Sequence, residues 1–254
     1  MPLEPKDPDF VNALARGLAV ITSFGQHAEI QTLSDVAAKT GLTRGTARRF
    51  LLTLEALGYV RSDGKSFRLA PKTLNLGYAY LSSLPLWKAA QPIMKDLVET
   101  LNESCALGVL DEHDIVYIAR LPPKHLSFIP VNLGTRMPAH INAMGQVLLA
   151  QLSPEELDDY FQNAKLEKIT RYTPTSEVAI RRALAGVAKD GFALSDQQLQ
   201  LGLLSIAVPV PVRSGRPEVA MNVSAEDHRV TKRELVRRFL PILRRAADQL
   251  AHAL

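Results

Sequence analysis

The strongest constraint on the fold is a glycine set between two short amphipathic helix signals. In 32–40 the apolar positions are Leu33, Val36 and Ala37, spaced three and one apart on one side, and either Thr32 or Ser34 can serve as N-cap. Gly41 suits the left-handed conformation that stops a helix. Two residues on, Thr43 offers the next N-cap, and over 44–57 Ala47, Phe50, Leu51, Leu54 and Leu57 fall on one face before Gly58 ends the run. Two short helices joined by three or four residues with glycine at the bend form a helix-turn-helix. A preceding helix over about 9–24 is expected to bury Phe10, Leu14, Leu18 and Ile21, with a loop from Gly25 through 26–30.

The inward stripe of the second helix decides what faces outward. Thr43, Arg44, Gly45, Thr46, Arg48 and Arg49 lie at its N-terminal end, away from Phe50 and Leu54, with Arg44 and Arg48 stacked four apart. In a helix-turn-helix this end of the second helix reaches base edges in the major groove. Arginine can read guanine bidentately, and threonine suits phosphate or the thymine methyl. Charge is concentrated here: 41–72 holds seven basic and two acidic residues, a balance of +5 within a chain of net +4. A solvated basic face would account for charge alone; a basic stretch on this motif points to a polyanion.

Two alternating segments, 59–61 and 66–69, flank Ser62-Asp63-Gly64-Lys65. Asp-Gly between such runs signals a hairpin, and a hairpin directly after the recognition helix makes a wing. Lys65 at its tip, with Arg61 and Arg68 on its strands, is placed to meet phosphate or the minor groove. The N-terminal 1–70 is thus read as a winged helix-turn-helix, and 71–85 as a linker helix interrupted at Pro85.

The remaining 86–254 mixes helices and strands in an order that suggests an α/β domain with a largely antiparallel sheet. A long helix is expected over 86–103. A hairpin follows, 105–110 with 115–121, turning at Asp111-Glu112-His113-Asp114, and then a strand over 126–133. Helices are expected at 143–152, 154–163 and 177–190, strands at 192–195, 205–212 and 218–224, and a final basic helix from 231 onward. That last helix carries Leu235, Val236, Leu240, Leu243 and Leu250 as a stripe, so its arginines read as a solvated outer face rather than a second polyanion surface.

Motifs for catalysis do not assemble. The chain has no phosphate-cradling glycine loop, no nucleophile elbow and no HExxH. The acidic turn at 111–114 with His113 is better read as a solvated hairpin turn than as a metal site, so neither metal nor cofactor is expected. One cysteine, Cys105, excludes an internal disulfide and reads as a small buried apolar residue. No apolar run approaches the ~20 residues that span a bilayer, and the polar, proline-bearing start lacks a secretory signal. A cytoplasmic location is expected.

The whole chain resembles the IclR family of bacterial regulators. The likeness is carried by Leu33-Ser34-Asp35-Val36-Ala37, Thr40-Gly41-Leu42-Thr43-Arg44 and Leu52-Thr53-Leu54-Glu55-Ala56-Leu57-Gly58-Tyr59 in the first part. In the second it is carried by Asp114-Ile115-Val116-Tyr117-Ile118-Ala119-Arg120, Met144-Gly145, Gly191-Phe192-Ala193 and Gly202-Leu203-Leu204-Ser205-Ile206-Ala207-Val208-Pro209. The runs 48–54 and 78–84 are similar to the subgroup that regulates protocatechuate and 4-hydroxybenzoate breakdown. The resemblance implies an α+β protein, a winged helix-turn-helix plus a GAF-like effector domain with a mostly antiparallel sheet. It also implies a homodimer or tetramer on a palindromic operator in double-stranded DNA, away from membranes.

By motif position the effector residues would be Asn142, Ala143, Met144, Gly145, Ser195, Ser205, Asn222 and Ser224; for each serine, packing or capping is an equal alternative. A helix start with free N–H groups favours an anion, so a small carboxylate, aromatic or resembling β-ketoadipate, is the implied effector. The chain departs from the family pattern at Gln198, where a glutamate is usual, at Gln200, where the subgroup often has an acid, at Gln146, where a basic residue is usual, and at Asn142-Ala143. Two other readings stay open at this point: an effector-less domain that only oligomerises, and an enzyme carrying a DNA-binding head.

Overall fold

The computed structural model describes residues 5–25, 28–84, 86–123 and 131–253. The chain forms two compact units, Met1–Ser83 and Leu84–Leu254. In the first, α1 (Asn12–Thr22), α2 (Leu33–Thr40) and α3 (Arg44–Ala56) close around Val20, Phe24, Val36, Ala47, Leu51 and Leu54. A capping box settles the start of α2 on Thr32: its hydroxyl accepts the Asp35 N–H, and the Asp35 carboxylate accepts the Thr32 N–H at 2.8 Å. Gly41 ends α2 at φ 66°, and Thr43 caps α3 by accepting the Thr46 N–H. The wing forms as expected from β2 (Val60–Ser62) and β3 (Ser66–Leu69). A two-residue β1 (Gln31–Thr32), for which the sequence pattern gives no sign, adds to β3 in the order β1-β3-β2. After a 3₁₀ turn at Pro71–Thr73, α4 (Leu74–Ser83) buries none of its residues.

Two apolar stripes differ from expectation. Leu14 and Leu18 are 62% and 48% exposed, because α1 turns Val20 to the core, with Phe24 buried just after it, and lays Gly17 against the Phe50 ring. Leu57 is 52% exposed because α3 ends at Ala56, so the residue after it leaves the helical face. Periodicity finds an apolar face but not the partner that covers it.

The second unit is one six-stranded antiparallel sheet in the order β6-β5-β4-β9-β8-β7. Its strands are β4 (Ser104–Asp111), β5 (Asp114–Leu121), β6 (Arg136–Pro138), β7 (Ala193–Asp196), β8 (Leu203–Pro209) and β9 (Val219–Glu226). The β4–β5 turn is tighter than the four residues expected, since Asp111 pairs with Asp114 and Glu112 takes φ 53°. Of the strand expected over 126–133, residues 126–130 lie outside the described ones, and Val131 to Leu133 are irregular. The short edge strand β6 has no counterpart among the strands that the pattern predicts.

Both faces of the sheet are covered, as the burial of neighbouring residues with opposite directions requires. Ala106, Tyr117, Ala207 and Ala220 pack with α6 (Ala143–Leu149), while α10 (Leu240–His252) packs on α5 (Leu86–Leu101) and on β8 and β9. Helices α7 (Pro154–Asn163) and α8 (Glu177–Asp190) bring Tyr160, Ile180 and Leu184 against Leu149. The terminal stretch opens as α9 (Lys232–Glu234) and widens to a π turn at Leu235–Phe239, just ahead of Pro241, which has no N–H to give the preceding turn. Its basic residues are exposed, and Leu235, Leu240, Leu243 and Leu250 are buried; Val236 alone of the expected stripe faces solvent.

All seven residues of α6 are buried. The helix lies against the 3₁₀ turn Ala139–Ile141 so closely that a Cβ on Gly145 would stand 2.3 Å from the Ala139 carbonyl oxygen. Only glycine fits, since the obstacle is backbone. Gly145→Ala is therefore expected to cost about 3 kcal/mol, read as a lower denaturant midpoint for the second unit. A variant with unchanged stability would show that this contact is not held in solution.

Candidate functional site

Two places carry chemistry, one in each unit. On the first, the residues expected to face outward do so: Arg44, Gly45, Arg48 and Arg49 are exposed on α3, and Thr46 is half-buried. The Thr43 hydroxyl both caps the helix and donates to the Thr46 hydroxyl at 2.9 Å, which fixes the first turn. Among the described residues, Arg44, Arg48, Arg49, Arg61 and Lys65 make no ion pair with an acid of the protein.

The wing is built by its own acid. The Asp63 carboxylate accepts the Lys65 and Ser66 N–H groups at 2.9 and 2.8 Å, and these bonds, Ser66 first, hold its pKa below the ordinary value. Lys65 is left exposed at the tip, with Gly64 at φ 91°. Arg61 and Arg68 are direct cross-strand partners. Like charges placed opposite each other repel, and an incoming anion between them removes the penalty.

The second place is a cavity of about 310 Å³ on the sheet face that also carries α6. That size lies at the small end of ligand pockets. Its wall takes Ser104 and Ala106 from β4, Tyr117 and Arg120 from β5, and Asn222 and Ser224 from β9, with Leu199 to Gly202 at its side. The Asn222 amide donates to the Ser205 and Ser224 hydroxyls at 3.0 and 3.1 Å, and the Ser224 hydroxyl donates to Ser205 at 3.0 Å. Glu103 also lines the wall, buried, and accepts from Arg229 at 3.1 Å. Burial pushes the Tyr117 phenol up, with the Asn142 hydrogen bond pulling the other way. Burial lowers the Arg120 pKa, and the Tyr117 side chain offsets part of that; the guanidinium stays charged.

Of the eight positions carried over by motif, Asn222 and Ser224 line the cavity. Ser205 bonds to both, and Asn142 donates to the lining Tyr117 at 2.9 Å. Ser195 donates instead to the Ile141 carbonyl. Ala143, Met144 and Gly145 belong to buried α6, whose first turn is closed by the protein itself: the Asn142 side chain accepts the Met144 N–H at 3.0 Å. Tyr117, Arg120 and Glu103 are lining residues that reading by motif position does not single out. For Arg120 a signal is present, a charged residue near the end of a mostly apolar strand.

Gln146 and Gln198, both singled out in the sequence, meet each other. The Gln146 amide donates to the Gln198 side chain at 2.8 Å and to the His140 carbonyl at 2.9 Å, while Gln200 lies at the cavity wall. The His140 ring is buried, with Nδ1 3.3 Å from the Tyr160 hydroxyl and Nε2 without a partner, and burial lowers its pKa. Among the described residues no cluster of histidine, cysteine, aspartate or glutamate could hold a metal, and no helix is long and apolar enough to cross a membrane.

The His140 shift fixes the sign of a pH effect. Its folded value lies below the ordinary value of about 6.5, so the unfolded chain takes up a proton that the folded chain refuses. The contribution is fully present above about pH 6.5 and is lost as pH falls from there toward the lowered value. His140→Gln should flatten the slope of denaturation midpoint against pH in that window. Equal slopes for both proteins would assign the effect to another group.

Comparison with known proteins matches residues 13–64 to the IclR helix-turn-helix domain and residues 78–252 to the C-terminal domain of bacterial transcriptional regulators of the IclR type. The Pca regulon regulatory protein of Pseudomonas putida is 41% identical over 249 residues, covering 98% of this chain and 86% of that one. A crystal structure from Rhodococcus sp. RHA1 is 42% identical with a TM-score of 0.86, covering 96% of this chain and 98% of that one. The inducer-binding domain of an Acinetobacter PobR double mutant, solved with 3-hydroxybenzoic acid, is 33% identical with a TM-score of 0.62, covering 66% and 98%.

Proposed function

Because the chain belongs to the IclR family of bacterial transcriptional regulators, we propose that Arg44 and Arg48 read bases of a palindromic operator from the major groove. Thr43, Gly45, Thr46 and Arg49 support them along the groove wall, and Arg61 and Lys65 hold phosphate from the wing. The observation that carries this reading is the exposed arginine row on α3, unpaired with protein acids and backed by a buried stripe. We place the protein in the cytoplasm, acting as a homodimer or tetramer. Leu14, Leu18, Leu74 and Tyr78 are exposed on the DNA-binding unit, which supports self-association through apolar surface. The relatives it matches are regulators, and a non-enzymatic role follows them.

Arg44→Ala and Arg48→Ala should each weaken specific binding by roughly 1–3 kcal/mol and relax sequence preference, whereas Lys65→Ala should weaken all duplexes alike and reduce the salt slope. Fluorescence anisotropy with an inverted-repeat duplex from the chain's own promoter region measures both. Full operator affinity in the Arg44/Arg48 double variant would remove the assignment.

The effector in this reading is a small carboxylate of the benzoate class or a short keto acid, held in the cavity of the second unit. Asn222 and Ser224 touch it, Ser205 holds them, and Asn142 acts through Tyr117. Ala143, Met144, Gly145 and Ser195 build the support behind. The ligand shifts a population between two geometries of the paired recognition helices. A true effector at a hundred times its Kd stabilises the folded protein by about 2.7 kcal/mol. Hydroxybenzoates or β-ketoadipate should raise the melting temperature in a thermal-shift screen. A panel of aromatic and aliphatic acids that moves nothing would favour a domain that only oligomerises.

A further inference from the structure

We infer that Asn222 is a specificity-determining residue of the cavity, selecting an effector that brings a hydrogen-bond donor, a hydroxyl or an N–H, to the β9 wall. The inference rests on the small-acid reading of the same cavity and deepens it. It comes from counting protons. Asn222 and Ser224 stand two apart on β9 and so share a face, and Ser224 pairs directly with Ser205 of β8. The Asn222 nitrogen lies 3.0 Å from the Ser205 hydroxyl oxygen and 3.1 Å from that of Ser224, and the two hydroxyl oxygens lie 3.0 Å from each other. Three contacts of this length need three protons, one on each edge of the triangle.

The serines own two protons between them, so the third must come from the amide. Were the amide reversed, its oxygen would stand at the third corner, and one edge would close with no hydrogen between two oxygens. The nitrogen therefore holds that corner and spends both its protons inside the cluster. What remains is the Asn222 carbonyl oxygen, to which no N–H or O–H donates among the described residues. Asn222 is 3% exposed and lines the cavity. Its oxygen is not sealed in protein, as the unbonded Gln31 Oε1 and His140 Nε2 are, so it opens to the cavity. A carboxylate turned toward this oxygen sets lone pairs against lone pairs. A fluorine or methyl group there strips the oxygen of water and leaves it unbonded, which costs affinity. A hydroxyl or amino group supplies the missing proton. The acid end of the effector is thereby directed away from Asn222. Of the acids named above, the hydroxybenzoates carry a donor and ionised β-ketoadipate carries none.

Calorimetric titration of the full chain with matched benzoates tests the assignment. The set is 3- and 4-hydroxybenzoate, the aminobenzoates as a second kind of donor, and the fluorobenzoates, which are close in size and have no donor. The wild-type chain should bind the better hydroxy isomer about 10- to 100-fold more tightly than its fluoro counterpart, with the amino counterpart on the hydroxy side. Asn222→Ala should bring the hydroxy-to-fluoro ratio within a few-fold of one while leaving the fluoro acid close to its wild-type affinity. The wild-type ratio stays decisive even where that variant folds poorly. A wild-type ratio near one, an undiminished ratio in Asn222→Ala, or tighter binding of β-ketoadipate than of either hydroxybenzoate overturns the donor requirement but leaves the cavity reading intact. Failure of the wild-type chain to bind any of these acids removes the cavity reading itself, and the role of Asn222 with it.

Discussion

What the cavity can recognise depends on the register of β4 against its two neighbours. Cys105, Ala106 and Leu107 pair in turn with Leu121, Arg120 and Ala119 of β5, and from Gly108 onward the pairing resumes at Tyr117. Ile118 is the extra residue of a β-bulge. On a regular strand Tyr117 and Arg120, three apart, would point to opposite faces. The bulge brings both onto the face of Ala106 and Gly108, where the phenol and the guanidinium share one cavity. Removing the bulge would turn one of them into the layer beneath α5 and α10, where a charge has no place. A single inserted residue thus decides whether the wall carries a cation at all.

The polar groups around this wall are satisfied by one another, which is the condition for keeping them buried. The Gln146–Gln198 pair illustrates the choice. At these positions this chain has two amides joined at 2.8 Å. A buried ion pair must desolvate two charges, while two amides exchange a hydrogen bond at much lower cost. A charge placed at only one of the two positions would be stranded beside the His140 carbonyl, which the same Gln146 amide also satisfies. Gln198 is further tied through its own carbonyl to the Thr173 hydroxyl, and Gln197 to Thr170. The segment from 197 to 202 is therefore bound to α6 and to the 170–173 turn while its far end walls the cavity. A ligand pressing on Leu199 or Leu201 works against hydrogen bonds rather than against a loose loop.

Charge is handled differently in the first unit, where cations are left in water. The Asp63 carboxylate is engaged by the hairpin turn and that of Asp35 by the capping box, and among the described residues neither acid makes an ion pair with a basic side chain. Arg61 and Arg68 face each other across the wing at a small cost in the free protein. That cost is offset on a phosphate backbone, where released counterions add to affinity and make it salt-dependent. Local stability and binding pull in opposite directions at these residues, the pattern expected of a functional site.

Legibility in the sequence follows the range of the forces involved. The helix-turn-helix can be read because Thr32, Gly41, Thr43 and Gly64 act within a few residues of themselves through caps and left-handed backbone. The face of α1 cannot, because Leu14 and Val20 are both apolar and only the packing of α2 and α3 chooses between them. Strands β1 and β6 escape the pattern for the same reason: two or three residues have no periodicity, and each exists only by pairing with a strand distant in the chain. In the cavity, motif position leads to Asn222 and Ser224, which line the wall. Arg120 requires the register. A strand read at period two assigns it the face opposite Tyr117, and only the pairing partners of Leu107 and Gly108 reveal the residue that reverses that assignment.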